Sequence, residues 1–460
     1  MEKTVHSYPL HPDCPDLRRL APNRTEAVLR AEYAAVTAEN AAVRGDFLDL
    51  SEVEEAQQDG RGVTRRTFVA GAAATVTALA TTQFVSTQAS FAATPGGTLI
   101  HVFLYGGLDG LSLIAPENDP VLSKARPDLL LGNDSIALDR GFKLTSAFAP
   151  LQRFLDAGQL GFVPAASDPR VSRSHFQAAD ACNLGGLPNE TGGRGWLDTL
   201  VDALGPGTAF RSVGVGSTLP RSLVGNNGAL SLNSVGSLGL NGDGRYKDAT
   251  AKAIQGLFTG INHPVEESVI AGLGALKTAQ QLAAKPYQPA TGVEYRGVGN
   301  SFRTLAQLIK GGANVRVATV SMGGYDTHEN QGTAKGGQLH NRLLELASGM
   351  AAFFDDLGPT LAADVTIMVS SEFGRRVASN NNGTDHGHGG VVTLLSGKKL
   401  AGSLLGTWNG LEKLDSGDVP EYNNMFDVYG SVAKGRFNLT DAEVKKMCPR
   451  QTITPVKLYA

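Results

Sequence analysis

Three short apolar runs, rich in β-branched residues, each break off into a polar cluster. Leu99–Tyr105 runs into GGLDG, Val315–Val320 into SMGGYDTH, and Val365–Val369 into SSEFGRR. Continuous apolar runs of this length, without alternation, suit strands covered on both faces, as in a parallel sheet. Leu339, Leu343, Leu346, Met350, Phe353, Phe354 and Leu357 recur at helical spacing between the second and third runs. The alternation predicts an α/β fold in three layers, an α/β/α sandwich with a mostly parallel central sheet. In an open sheet of that kind the strand carboxyl ends line the binding crevice. Asp109, Asp326, His328, Glu372 and Arg375 are therefore expected to line one crevice, although far apart in the chain.

Further segments extend the pattern. Leu160–Val163 and Val391–Leu395 read as strands; Leu151–Ala157, Trp196–Leu204, Tyr246–Phe258, Val265–Ala284 and Phe302–Lys310 read as helices. A helix beginning near Ser174 places Ser172 or Ser174 at its positive end, with His175 beside them. Residues 205–248 change texture, alternating short apolar runs with Gly, Asn and Ser, and read as a substrate-side insertion or a passive surface excursion. His101, inside the first run, reads as a hydrogen-bonded core histidine.

Charge and cysteine narrow the classes. Lys plus Arg total 41 against 44 for Asp plus Glu, so nothing favours a nucleic-acid partner. Cys14, Cys182 and Cys448 form no CxxC pair, which sets aside a thiolate zinc site or a disulfide scaffold.

The first 92 residues read as a leader. Arg65-Arg66, a mild apolar stretch and the small residues ending at Ala92 resemble a twin-arginine export signal, preceded by an unusually long n-region. The expectation is one α/β domain over residues 93–460, delivered by the twin-arginine translocation machinery to the periplasm, cell envelope or exterior. Membrane contact follows only if the signal stays uncleaved.

The polar clusters supply a ligand inventory. Carboxylate oxygen and neutral imidazole suit divalent metals without thiolate. Asp109, Asp326, His328, Glu372, Asp385, His386 and His388 suffice for such a centre, with His340 as a substitute ligand. Turn aspartates and loop histidines also serve structure, so metal binding and plain capping both stand open. No HExxH, P-loop, dinucleotide fingerprint or GxSxG elbow stands at a convincing place.

Taken together, VFLYGGLDG, SRSHF, GGYDTHENQ, SEFGR and GTDHGHGG resemble the bacterial exported proteins grouped as the DUF1501 family, over roughly Leu99–Leu395. The resemblance implies a distant relation to the alkaline phosphatase and sulfatase superfamily, with a metal site at the strand ends. It implies that Asp109, Asp326, His328, Glu372 and His386 or His388 bind metal, and that Ser172 or Ser174 stands at the nucleophile's place. SEFGR carries no histidine where phosphatases have an adjacent Asp-His pair, so one ion (zinc, manganese or calcium) is expected rather than two. Arg375 would neutralise ester oxygens and His175 would move protons. The implied function is metal-dependent hydrolysis of phosphate or sulfate esters. The alternative is a non-catalytic envelope protein that keeps the fold to bind an anionic glycan or a protein.

Overall fold

A computed structural model describes residues 96–240, 244–261, 264–284, 286–380, 382–449 and 453–460. The leader, with Arg65, Arg66 and Cys14, lies outside the described residues. Those that are described belong to one compact unit, Thr82–Ala460.

The apolar runs form the sheet. In chain order the strands are β1 Thr98–Leu104, β2 Ile114–Pro116, β3 Ile136–Leu138, β4 Phe142–Leu144, β5 Leu160–Ser167, β6 Ser212–Val215, β7 Leu230–Leu232, β8 Val317–Met322, β9 Val365–Ser371, β10 Arg375–Ser379, β11 Thr384–His386, β12 Gly390–Ser396 and β13 Asn423–Asn424. Eight of them make the central sheet in the order β13-β5-β12-β9-β1-β8-β6-β7. β1 pairs in parallel with both β8 and β9, and β6 in parallel with β8 and β7. β12 is antiparallel to both its neighbours, β5 and β9. That reversal has a consequence for function: the amino end of β12 lies at the edge where β1, β5, β8 and β9 present their carboxyl ends. The His386-containing loop therefore reaches the same edge as Asp326 and Glu372.

Side-chain alternation along β1 divides the core. Ile100, Val102 and Leu104 pack in a cluster with Phe302 and Leu305 of the Gly299–Lys310 helix and with Leu339, Leu343 and Met350 of the Gln338–Ala362 helix. Leu99 and Phe103 pack on the opposite face with Trp196 and Leu200 of the Trp196–Leu204 helix and Phe426 and Val432 of the Met425–Phe437 helix. A period of two against two helical layers gives helices on both faces of a largely parallel sheet. His101 lies on the second face, its Nε2 2.8 Å from Ser370 Oγ, and burial pushes its pKa down to about 3.

Three features differ from the sequence reading. Residues 205–248 are not a surface excursion throughout, because β6 and β7 extend the sheet at its edge. Val213, Val215, Leu230 and Leu232 are buried there, and their runs are too short to register as strands among the glycines. A three-stranded sheet, β2-β4-β3, and the β10-β11 hairpin were also hidden, being only a few residues each. Among the described residues, no helix is long and apolar enough to cross a membrane.

Candidate metal centre

Asp326 and His328 follow β8, His175 follows β5, and His386 closes β11 just before β12. Gly106 brings these segments close together. Its φ is +122°, and a Cβ there would lie 2.2 Å from the backbone nitrogen of Asp326. Only glycine lets the end of β1 pass the Asp326 turn at that distance.

His175, Asp326 and His386 offer ligand atoms that all lie within 4.8 Å of one another. His386 Nε2 is 3.2 Å from Asp326 Oδ1, and His175 Nε2 is 3.3 Å from Asp326 Oδ2. His328 stands beside them, its Nε2 2.9 Å from His386 Nε2 and 3.2 Å from Asp326 Oδ1. Each histidine is oriented through its other nitrogen. His175 Nδ1 is 2.8 Å from Glu372 Oε1, His328 Nδ1 is 3.1 Å from Asp385 Oδ1, and His386 Nδ1 is 3.0 Å from the Arg173 carbonyl. Those oxygens only accept, so in the neutral rings Nδ1 carries the hydrogen and Nε2 the lone pair. Lone pairs from His328 and His386 then face each other and a carboxylate oxygen. Buried His175 Nε2 likewise has no hydrogen-bond partner. Acceptors facing acceptors call for a cation between them.

The spacing fits one. Tetrahedral coordination with bonds of about 2.0 Å places ligand atoms roughly 3.3 Å apart. Imidazoles held by carboxylates or carbonyls on their far side are the usual support of a metal ligand. Burial disfavours a proton on His386, and the Arg375 charge adds to this, so its pKa lies below the ordinary value. Burial pushes Asp326 up, but the hydrogen bond and charge of Arg375 outweigh it and hold the carboxyl below the usual range. The residues present therefore fit a single divalent ion.

Several expected residues take other positions. Glu372 is 1% exposed, and its Oε1 already accepts from the Gly106 N–H at 2.7 Å as well as facing His175. It stands behind His175, as Asp385 does behind His328. Arg375 is also buried, and its guanidinium is consumed: Nε donates to the Gly107 carbonyl at 2.7 Å, Nη1 to Thr384 at 2.6 Å, and Nη2 to Gly106 and to Asp326 Oδ1. It clamps the Asp326 turn and is not open to an ester oxygen. Asp109 is enclosed, with Arg126 Nη1 2.9 Å from both oxygens, Ser112 Oγ at 2.6 Å and Gln331 Nε2 at 2.7 Å from Oδ2. His388 Nδ1 is 3.4 Å from Asp415 Oδ2, and His340 Nδ1 bonds to the Ala334 carbonyl; neither joins the converging group.

The SRSH segment holds what the sequence reading placed differently. Ser174 is the N-cap of the His175–Leu184 helix, but its side chain makes no capping hydrogen bond. Ser172 Oγ donates to Gln177 Oε1 at 2.8 Å. His175 turns its Nε2 toward Asp326 and belongs to the converging group, and its place at the first helical position after a serine was the available signal. Arg173 is ion-paired to Asp418, a fully buried residue that sequence reasoning did not single out. Phe373 forms a wall of the centre, its ring centroid 5.1 Å from that of His175 and 4.6 Å from that of His386.

Residues 165–426 match the family model described as "Protein of unknown function (DUF1501)". The chain belongs to the DUF1501 family. No curated protein sequence matches it. Among solved structures it is similar to the integral membrane protein lipooligosaccharide phosphoethanolamine transferase A from Neisseria meningitidis, at 9% identity and a TM-score of 0.26. That match covers 81% of this chain and 62% of the transferase, so the DUF1501 chain spans less than two thirds of that protein's length. It is also similar to alkaline phosphatase from the Antarctic bacterium TAB5, at 10% identity and a TM-score of 0.26, covering 78% of this chain and 100% of the phosphatase.

Proposed function

We propose that this DUF1501 protein is a metal-dependent hydrolase of phosphate or sulfate esters that works outside the cytoplasm. The observation that carries the reading is the convergence of His175, His328 and His386 Nε2 on the Asp326 carboxylate, with an acceptor oxygen behind each ring. Three imidazoles and one carboxylate suit zinc or manganese better than calcium, which prefers an all-oxygen shell. His175, Asp326 and His386 would hold one ion, with His328 completing the set. Bound there, a divalent ion supplies Lewis acidity toward an ester oxygen.

The protein's own groups do the rest. Glu372, Asp385 and the Arg173 carbonyl keep the imidazoles in the ligating tautomer, and Arg375 fixes Asp326. Ser174, whose hydroxyl makes no capping hydrogen bond at the head of the His175 helix, is freer to attack than Ser172, which donates to Gln177. The Ser174 Oγ would bond to phosphorus or sulfur as its proton passes to the departing ester oxygen, which leaves as the alcohol, and water would then release the acid and restore the serine. Amide hydrogens at the helix start favour an anion in that position.

Zinc- or manganese-loaded protein should turn over at least one of an aryl phosphate, a phosphodiester and an aryl sulfate, and Ser174→Ala should abolish the turnover. Activity kept in Ser174→Ala and lost in Ser172→Ala would reassign the nucleophile. Inactivity of intact, metal-loaded protein toward the whole panel, with tight binding of an anionic glycan or a protein, would favour the non-catalytic alternative. Export rests on the Arg65-Arg66 signal, and unchanged delivery of an Arg65→Lys/Arg66→Lys variant on cell fractionation would remove it.

A further inference from the structure

The metal reading leaves unused an open cavity lined by residues on either side of His175 in the chain. It has a volume of about 420 Å³, and Arg170, Val171, Ser172, Phe176, Gln177 and Leu187 are among its walls. Phe176 follows His175 directly and is 90% exposed, more than any other large apolar side chain among the described residues. Single exposed apolar residues are common on proteins. This one stands over a cavity and next in sequence to a metal-ligand candidate, and the fold gains little from holding it there.

The back of the cavity is tied to the centre. Val171 and Leu187 pack with Ala178, Ala181 and Phe373, and Phe373 in turn lies against His175 and His386. Arg170 has its charge committed, with Nη2 2.8 Å from Asp168 Oδ2 and Nη1 2.9 Å from Glu190 Oε1. An anion therefore belongs at the metal centre, while the cavity offers an aromatic face, aliphatic walls and a few polar edges, the usual lining of a small-molecule pocket.

We propose that Phe176 and this cavity bind the alcohol portion of the ester, and that this alcohol carries a ring whose apolar face lies against the Phe176 phenyl. The inference rests on the ester-hydrolase reading, which puts the acid portion at His175, Asp326 and His386. Phe176 is then a specificity-determining residue rather than a part of the fold.

Phosphonates that cannot be hydrolysed separate the two claims. Zinc-loaded protein would be titrated calorimetrically with methylphosphonate, phenylphosphonate and cyclohexylphosphonate. At least one ring compound should bind about tenfold tighter than methylphosphonate, in line with ring stacking. Phe176→Ala should bring that ring compound to within about twofold of methylphosphonate and leave methylphosphonate binding unchanged. A gain for phenyl alone identifies a flat aromatic alcohol; an equal gain for cyclohexyl identifies a saturated ring such as the apolar face of a sugar. Because the ring is exposed, the variant should keep its zinc stoichiometry and thermal midpoint. Equal binding of all three phosphonates, binding of none, or a ring preference retained in Phe176→Ala would overturn the assignment. Ring preference without turnover of any ester would overturn the hydrolase reading alone, and turnover without ring preference would overturn the cavity assignment alone.

Discussion

Asp109 and Asp326 look alike in sequence. Each follows an apolar core strand and a pair of glycines, at the same edge of the same sheet. Their surroundings differ. Asp109 is 1% exposed and closed in by Arg126, Ser112 and Gln331, whereas the Asp326 side chain is 47% exposed and met by three imidazoles. Both carboxyls lie below the usual range despite burial, Asp109 through the Arg126 charge and Asp326 through its Arg375 hydrogen bond. One cation ends the chemistry at Asp109, because Arg126 fills the space in front of both oxygens. Arg375 reaches Asp326 from the protein side and takes one oxygen only, leaving the outer face to the histidines. The strand-end aspartate is thus necessary for a site, and what stands opposite it decides whether a site exists.

The largest effect should come from breaking the closed nest. Arg126→Met leaves Asp109 buried and unpaired, and urea unfolding should show a loss of about 3–5 kcal/mol. The molecules that remain folded should bind metal as before. Lost metal binding at unchanged stability would invert the roles of the two aspartates. At the open site the signs reverse. His386→Ala should weaken zinc binding by more than about 100-fold, and Glu372→Gln, one step behind His175, by about 10–100-fold. Competition with a chelator of known affinity measures both, and stability of the metal-free protein should move far less than in Arg126→Met.

The strand-end pattern was legible because buried parallel strands need runs dominated by apolar and β-branched residues, and Thr98–Leu104, Val317–Met322 and Val365–Ser371 all have them. The same runs put Asp326 and His328 at the sheet edge, whereas His386 reaches it through the reversal of β12, which the runs alone do not show. The division of labour among the ligands was not. Nothing in SEFGR tells that Glu372 turns inward to Gly106 and His175, or that Arg375 spends its donors on backbone carbonyls, since both depend on loops distant in sequence. Asp109 misled because its partner Arg126 lies on a short segment with no motif. Phe176 carried no signal, an exposed phenylalanine on a helix being indistinguishable in sequence from a core one.

A third carboxylate sharpens the comparison. Glu421 lies near Asp168 and Asp427; burial and those negative charges push its pKa up to about 7, and the Arg170 charge and an Asn424 hydrogen bond offset this only in part. An acid whose folded pKa is raised holds its proton more tightly in the folded state. Stability from this group is therefore full at low pH and falls as pH rises from 4.5 to about 7. Between pH 5 and pH 8 the loss should be about 1 kcal/mol once solvent screening is allowed for. Glu421→Gln should remove that slope in chemical denaturation series at the two pH values; an unchanged slope would assign it elsewhere.

The central claim is that the open edge binds one metal ion through imidazoles. Protein stripped with chelator and dialysed against zinc, then against manganese, would be assayed for bound metal per folded chain, with a His175→Ala/His386→Ala variant alongside. About one equivalent of zinc or manganese in the wild type and essentially none in the variant is the expected result. No metal in the wild type, or equal metal in both proteins, would contradict it.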